Sequence, residues 1–220
     1  MKKLFQYLRE FLFPPKCILC MGLLEGEETD ICRRCRTETD EYPQGKLKLQ
    51  FVDRVAAVWY YKGDVRRSLH RFKFRRCRFL AEPYGKLLAM KALREDLAEV
   101  DLITWVPVSP LRKLVRGYDQ DELLARVISR ELGIPCVQLL KKIRHNRAQS
   151  GISGYAKRRA NVLGVYRVEN PVEIPGKRIL LVDDILTTGA TLSECARVLL
   201  TAGAEEVNCA VVASAHHNNP

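Results

Sequence analysis

The stretch that decides the fold is residues 179–191, which read ILLVDDILTTGAT. Four aliphatic residues at 179–182 predict a buried strand, and the turn that follows predicts a connection into a helix from Thr191 to Thr201. Ligands of open α/β sheets bind at the carboxyl ends of the strands, which is where we expect Asp183 and Asp184 to emerge. The pattern therefore predicts two adjacent carboxylates at the ligand-binding edge of a sheet.

The turn between this strand and helix has the composition of a phosphate-binding turn. A glycine lets the backbone approach a ligand closely, a helix start offers N–H groups and a positive dipole end, and hydroxyls add donors. The predicted phosphate-binding residues are Thr187, Thr188, Gly189, Ala190 and Thr191. Carboxylates repel phosphate but accept hydrogen bonds from hydroxyls, so Asp183 and Asp184 fit the 2′ and 3′ hydroxyls of a ribose 5-phosphate moiety. A metal-binding acidic pair and a simple N-capped helix are the alternatives, and no GxxxxGK[ST] P-loop occurs in the chain.

Length and charge limit the classes of function. The 220 residues suffice for one α/β domain and a small appendage, and 37 Lys and Arg against 26 Asp and Glu give a net charge of +11. This excess favours a polyanionic partner, either a nucleic acid or a small ligand rich in phosphate. No run of about 18 apolar residues is present, so no membrane span is expected. Residues 1–17 lack the features of a signal peptide, and we expect a cytoplasmic protein. Their apolar residues predict an amphipathic helix that docks on the protein, or alternatively a membrane-surface or partner-binding helix.

Four of the eight cysteines form two CxxC pairs, Cys17 with Cys20 and Cys32 with Cys35. This pattern is typical of a zinc ribbon or knuckle, in which four thiolates close a tetrahedral structural Zn²⁺ site. A site that has lost its metal and a redox dithiol are the alternatives. The remaining cysteines are isolated and predict small buried hydrophobic side chains.

Aliphatic stretches alternate with helical ones along the rest of the chain. Strands are predicted in residues 51–61, 100–108, 134–140, 178–184 and 207–215, with basic helices up to Arg94 and a helix beginning near Asp119. This alternation predicts a mainly parallel, doubly covered sheet. We expect two units: an N-terminal helix and zinc-ribbon-like module in residues 1–48, and the sheet domain in residues 49–220.

The order of motifs resembles one family. The cysteine pairs, YKGDVRRSLHRFKF (61–74), VPVSPLRKLVRGYDQDELLA (106–125), RAQSGISGYAKRRANVLGVY (147–166) and the 179–191 stretch are similar to the ComF family of competence proteins, which includes ComFC-like and GntX-like members. The resemblance implies a type I phosphoribosyltransferase fold, which is doubly wound and Rossmann-like, and a link to DNA uptake in natural transformation.

The resemblance also implies a ligand and roles for particular residues. The ligand is 5-phosphoribosyl-1-diphosphate (PRPP) with Mg²⁺, and Asp183 and Asp184 are the implied catalytic residues. The implied contacts of its pyrophosphate are Arg112, Lys113 and Arg116, for which a plain solvated face is the alternative. Arg147 lies in the loop that is implied to close over PRPP, for which a loop without function is the alternative. Relatives usually have Asn where this chain has Asp119, and spacing to Glu122 predicts that Asp119 caps the following helix.

Three functions remain open on the sequence. The first is transfer of ribose 5-phosphate from PRPP to an unidentified acceptor. The second is a non-catalytic PRPP- or nucleotide-binding module that serves DNA uptake with a partner such as a competence DNA helicase. The third is binding of single-stranded DNA through residues 70–79, HRFKFRRCRF, where cations alternate with Phe72, Phe74 and Phe79. An amphipathic segment with buried aromatic rings is the alternative for that stretch.

Overall fold

A computed structural model describes residues 14–144 and 162–215. The strands are β1 (Val55–Tyr60), β2 (Leu102–Trp105), β3 (Leu140–Lys142), β4 (Tyr166–Val168), β5 (Arg178–Leu186) and β6 (Glu206–Ser214). The helices in these ranges are α1 (Arg33–Glu38), α2 (Gly63–Phe74), α3 (Ala81–Arg94), α4 (Pro110–Arg116), α5 (Gln120–Leu132) and α6 (Ala190–Thr201). Two short 3₁₀ turns, Arg78–Leu80 and Pro171–Glu173, complete the described elements.

The core of the fold is a four-stranded sheet in the order β1-β6-β5-β2, and all of its pairings are parallel. Side chains of β5 alternate between its two faces, as expected for an extended strand. Leu180 and Val182 belong to the apolar cluster formed with α2, α3 and α5, whereas Ile179 and Leu181 belong to the cluster formed with α6. The predicted α/β class, with a parallel sheet covered on both faces, is confirmed.

The strand predicted over residues 134–140 is wrong for most of its length. The chain meets β2 at one residue, where Ile103 forms a parallel bridge with Cys136. Pro135 has no N–H to donate to a ladder, which limits the pairing. The chain then enters β3, which pairs with β4 in an antiparallel two-stranded sheet.

The acidic residues lie inside β5 rather than after it. On the β6 side the ladder continues through Asp183 to Leu186. On the β2 side the register ends at Val182, which pairs with Trp105. Because β2 stops earlier than β6, Asp183 and Asp184 lie beyond the end of one neighbouring strand, and this places them at the sheet edge.

The four-cysteine segment packs directly on the helices beside the sheet. Cys17, Ile18, Leu19 and Cys35 are at most 3% exposed and belong to the apolar cluster of α2, α3 and α5. Division of the chain at residues 48 and 49 stays a prediction. None of the helices in the described ranges combines the length and apolar character needed to cross a bilayer.

Candidate functional site

The centre of the site is the acidic pair of β5. Asp183 is 9% exposed and Asp184 is 1% exposed. The Asp184 N–H donates to Asp183 Oδ1 at 2.8 Å, and the Nζ atom of Lys73, from α2, lies 2.9 Å from Asp184 Oδ1. The pair is therefore buried and held on one side by a cation from another element.

A third carboxylate joins this pair from the first turn of α5. Oxygen atoms of Asp121, Asp183 and Asp184 all lie within 4.8 Å of one another. Gln120 Nε2 donates to Asp121 Oδ2 at 3.1 Å. Asp121 Oδ1 and Asp184 Oδ2 are buried and have no hydrogen-bond partner in the described part of the chain. Such orphaned acceptors are expensive in a folded protein and are expected where a ligand or cation completes the site.

Burial sets the protonation of this cluster. Burial, reinforced by the charge of Asp184 and opposed by Lys73, raises the pKa of Asp183 to about 8. Burial and the two neighbouring acids raise the pKa of Asp121 well above its usual range. Burial alone would lower the pKa of Lys73, but the three carboxylates outweigh it and raise that pKa. These shifts favour the protonated forms of Asp183 and Asp121 in the unliganded cluster, whereas a bound cation or hydroxyl donors from a ligand would favour their charged forms.

The turn of residues 187–191 follows directly and leads into α6. Gly189 has φ +76° and immediately precedes the first helical residue, Ala190. A Cβ added to Gly189 would be strained at this positive φ and would lie 2.2 Å from Leu49 Cδ2, so the Leu49 side chain would have to move. The Thr188 hydroxyl is buried and has no partner among the described residues. The turn thus offers a donor, a close backbone approach and a helix start, which together suit an anion.

Asp119 has the structural role predicted for it. Its Oδ1 accepts from the N–H groups of Asp121 and Glu122, at 3.1 and 3.3 Å, so Asp119 is the N-cap of α5. Its Oδ2 accepts from the N–H of Val108 at 3.0 Å. The cap is confirmed, and it also ties the loop after β2 to the helix that carries Asp121.

The predicted pyrophosphate-binding cations lie on α4, between β2 and α5, and have different surroundings. Lys113 pairs with Glu122 at 2.9 Å on the surface. Arg116 donates to Gln120 Oε1 at 2.8 Å and lies 5.1 Å from the ring centroid of Phe74. Burial, and then the charge of Arg116, lower the pKa of Arg112. Arg147 lies outside the described residues.

Lys142 of β3 is a basic residue near this site that the sequence did not indicate. Burial, followed by the charge of Arg112, lowers its pKa to about 8, while Asp183 acts in the opposite direction. Its Nζ lies 5.4 Å from the ring centroid of Tyr166. Lys73 and Asp121 were also missed. A signal for Asp121 was available, since it lies two residues after a predicted helix cap, Asp119. Lys73 and Lys142 depend on long-range packing.

The four cysteines of the predicted zinc module come together. Their Sγ atoms all lie within 4.8 Å of one another, and Cys20 Sγ is 3.7 Å from Cys32 Sγ. Four thiolates at about 2.3 Å from a tetrahedral Zn²⁺ would lie roughly 3.8 Å apart, so the arrangement fits this ion. Burial opposes ionisation of Cys20, but the Gly22 N–H, Arg34 and the neighbouring thiols lower its pKa to about 7. A thiolate at neutral pH is the form that binds a metal.

Comparison with known proteins decides the family. Residues 122–219 match the family described as phosphoribosyl transferase domain. The chain is 28% identical over 216 residues to Competence protein F of Haemophilus influenzae, which covers 87% of this chain and 93% of the relative. It is 31% identical over 200 residues to DNA utilization protein YhgH of Escherichia coli O157:H7, with 87% of this chain and 86% of the relative covered. The chain belongs to the ComF family.

The resemblance predicted from the motif order is thereby confirmed. Among solved structures, this ComF-family protein is 25% identical to a glutamine phosphoribosylpyrophosphate amidotransferase from B. subtilis, with a TM-score of 0.40. The match covers 60% of this chain and 25% of that one, so the chain spans about a quarter of the amidotransferase.

Proposed function

We propose that this ComF-family protein binds PRPP at the acidic pair and the 187–191 turn, and transfers its ribose 5-phosphate to an acceptor. The observation that carries the proposal is the juxtaposition of the Asp183–Asp184 pair with a turn whose buried Thr188 hydroxyl has no partner within residues 14–144 and 162–215. The two acids would accept hydrogen bonds from the ribose hydroxyls. The turn and the start of α6 would hold the 5′ phosphate. The domain match to phosphoribosyl transferases supports this assignment.

Mg²⁺ is the proposed metal of this reaction, and the acidic cluster fits it. Hard divalent cations prefer oxygen ligands, and Asp184 Oδ2 is an acceptor without a partner in the part of the chain that the structure describes. Asp183 or Asp184 would hold the ion directly or through water, together with oxygens of the ligand. The ion would supply charge neutralisation for the departing pyrophosphate.

The chain's own residues would contribute positioning and electrostatics. Pyrophosphate leaves C1 of the ribose while positive charge builds on the ring, and a nearby carboxylate such as Asp184 stabilises that charge. Arg112, Lys113, Arg116 and Arg147 are the proposed partners of the pyrophosphate. Of these, Arg112 lies close enough to Lys142 for their charges to interact, so Lys142 extends the basic side of the site.

Binding of PRPP with Mg²⁺, measured by calorimetry, tests the proposal. Replacing both acids, Asp183→Asn with Asp184→Asn, removes two charged acceptors, and a hydrogen bond to a charged group contributes about tenfold or more. We expect roughly 100-fold weaker binding. The matched control is Asp40→Asn, which neutralises an exposed carboxylate paired with Lys62 and should leave the affinity unchanged. Equal affinity for the wild type and the double variant would exclude this site.

A structural Zn²⁺ held by Cys17, Cys20, Cys32 and Cys35 is part of the proposal. The support is the mutual approach of the four Sγ atoms, and all eight cysteines of the chain are free of disulfide bonds in the structure. Reduced thiols are typical of proteins in the cytoplasm, which we propose as the location.

Single-stranded DNA binding is a second candidate function, favoured by the surface of α2. A groove of about 720 Å³ runs along this helix and is lined by Gly63, Arg66, Arg67, His70, Arg71 and Arg75. Phe74 and Phe79 are 56% and 57% exposed, so two of the three aromatic rings predicted for stacking are accessible, whereas Phe72 is buried in the core. Exposed rings among cations suit unpaired bases and a phosphate backbone. A DNA helicase that acts in DNA uptake would be a partner of such a surface, and two relatives carry names that refer to competence and DNA utilization.

Substitution on this surface should weaken oligonucleotide binding. For Arg75→Ala with Arg76→Ala we expect a loss of roughly tenfold at low salt and a salt dependence reduced by about two phosphate contacts. The measurement is fluorescence anisotropy of a labelled single-stranded oligonucleotide over a salt series. Arg94→Ala with Arg130→Ala removes the same net charge from other surfaces and is the matched control. If both double variants lose the same affinity, binding reflects net charge and not this surface.

A further inference from the structure

Lys73 connects α2 to the acidic pair, although it lies more than a hundred residues away in the chain. Its Nζ is 2.9 Å from Asp184 Oδ1, and its side chain is 22% exposed while that of Asp184 is 2% exposed. A buried ion pair gains little net stability because desolvation offsets the attraction. What such a pair does provide is a fixed position for the carboxylate, since the oxygen cannot turn away without leaving a buried cation unpaired.

The helix that carries Lys73 is anchored to two other segments of the chain. Ser68 donates to the carbonyl of Ile18, and Arg71 donates to the carbonyls of Ile18 and Leu19, within the first CxxC turn. The carbonyl of Phe72 accepts from the Tyr118 hydroxyl, in the loop before α5. Four residues within positions 68–73 of α2 therefore contact the cysteine module, the loop before α5 and the acidic pair. These contacts fix the position of the helix, and so of the Lys73 backbone, relative to the acidic pair.

We propose that Lys73 is the positioning residue of the acidic pair, and that it orients Asp184 so that the pair recognises the hydroxyl groups of a ribose ring. The inference rests on the proposed function and adds to it the residue that sets its sugar specificity. Lys73 need not touch the sugar. It acts through Asp184, whose other oxygen, Oδ2, has no partner among the described residues and is available to a donor from a ligand.

The neighbouring Asp121 makes the arrangement sensitive to the loss of Lys73. With Lys73 present, one cation faces three carboxylates whose oxygens lie within 4.8 Å of one another. Without it, Asp184 has only acidic neighbours from Asp121 and Asp183 in this cluster, and like charges at this separation repel. Asp184 would then turn away from this position, and the change would remove an acceptor for a ribose hydroxyl.

The test compares two sugars that differ by one hydroxyl. The ratio of the Kd of 2-deoxyribose 5-phosphate to that of ribose 5-phosphate measures hydroxyl recognition, and inorganic phosphate reports the turn alone. We expect a ratio of roughly ten in the wild type, which is the size of one hydrogen bond to a charged acceptor. In Lys73→Met the ratio should fall to about one, whereas the affinity for inorganic phosphate should stay within roughly twofold. Lys73→Arg restores the cation and should restore most of the discrimination.

A merely structural role for Lys73 gives a different result. General loosening of α2 would weaken inorganic phosphate and both sugars together in Lys73→Met, and this outcome would overturn the inference. So would an unchanged ratio. If Lys73→Met unfolds, the double variant Lys73→Met with Asp121→Asn, which removes one basic and one acidic group from the cluster, takes its place. If the wild type binds neither sugar phosphate, the proposed function itself fails and this inference with it; if the wild type discriminates and Lys73→Met discriminates equally, the inference alone fails.

Discussion

Replacement of Cys35 by serine is expected to abolish binding of the proposed Zn²⁺ and to unfold the four-cysteine module. Cys35 is 1% exposed and lies in one apolar cluster with Cys17, Ile18 and Leu19, so the module is part of the core. Structural zinc sites contribute about 10 kcal/mol or more to folding of small domains, and a lost ligand forfeits much of this. We expect a loss of several kcal/mol, which corresponds to a fall of roughly 10 °C or more in the melting temperature of a chain of this size.

The measurement combines elemental analysis for zinc with thermal unfolding. Cys77→Ser is the matched control, because Cys77 lies outside the cluster of four Sγ atoms and should keep both the metal and most of the stability. Equal melting temperatures and equal zinc content for Cys35→Ser and Cys77→Ser would show that the four thiols hold no structural ion. Since Ser68 and Arg71 bind carbonyls of the module, Cys35→Ser should also loosen α2.

Gly85→Ala is expected to destabilise the protein, although the same change at an unhindered helical site stabilises by about 1 kcal/mol. Gly85 lies inside α3, and a Cβ there would be 2.4 Å from Val127 Cβ of α5. That carbon is bonded directly to the backbone, so the two helices must separate. Overpacking of this kind costs about 1–3 kcal/mol, and the tightness of this contact places the expected loss at the upper end. Denaturant unfolding measures it.

Compensating substitutions distinguish this contact from a general effect. Val127→Ala removes Cγ1, which would lie 2.5 Å from the new Cβ, but retains the Val127 Cβ at 2.4 Å, so it should rescue Gly85→Ala only in part. Val127→Gly removes both carbons and should recover most of the loss after its own helix cost is subtracted. Equal rescue by both would show that the contact is not the cause. Because α5 carries Asp119 and Asp121 at its start, the separated helices should also weaken ribose 5-phosphate binding.

Local patterns were enough to predict the fold class and much of the candidate site. The aliphatic run 179–182 predicted β5, and the spacing of Asp119 and Glu122 predicted the cap of α5. These features depend on residues close in sequence, for which propensity and periodicity are informative. The paired cysteines likewise predicted a cluster that the structure forms.

Local sequence patterns could not predict the roles of residues that depend on tertiary packing. Lys73 looks like one more cation on a basic helix, and only the position of α2 on the sheet places it against Asp184. The strand predicted over 134–140 had the right composition, but its neighbour β2 offers a partner at one residue. Phe72, by contrast, has helical spacing to the buried Val65 and Leu69, so periodicity could have assigned it to the core and Phe74 to the opposite, exposed face.

The strand order has a consequence for how the chain is made. β1 joins the rest of the sheet through β6, and the register pairs Val55 with Cys209. A ribosome synthesises β1 long before β6, so the nascent chain must keep an apolar strand without its ladder while most of the remaining domain emerges. Pairings between such distant segments carry a large loop-closure cost and slow folding. The four-stranded sheet can therefore be completed only after β6 has left the ribosome. Until then, the exposed apolar strand β1 must avoid aggregation with other chains.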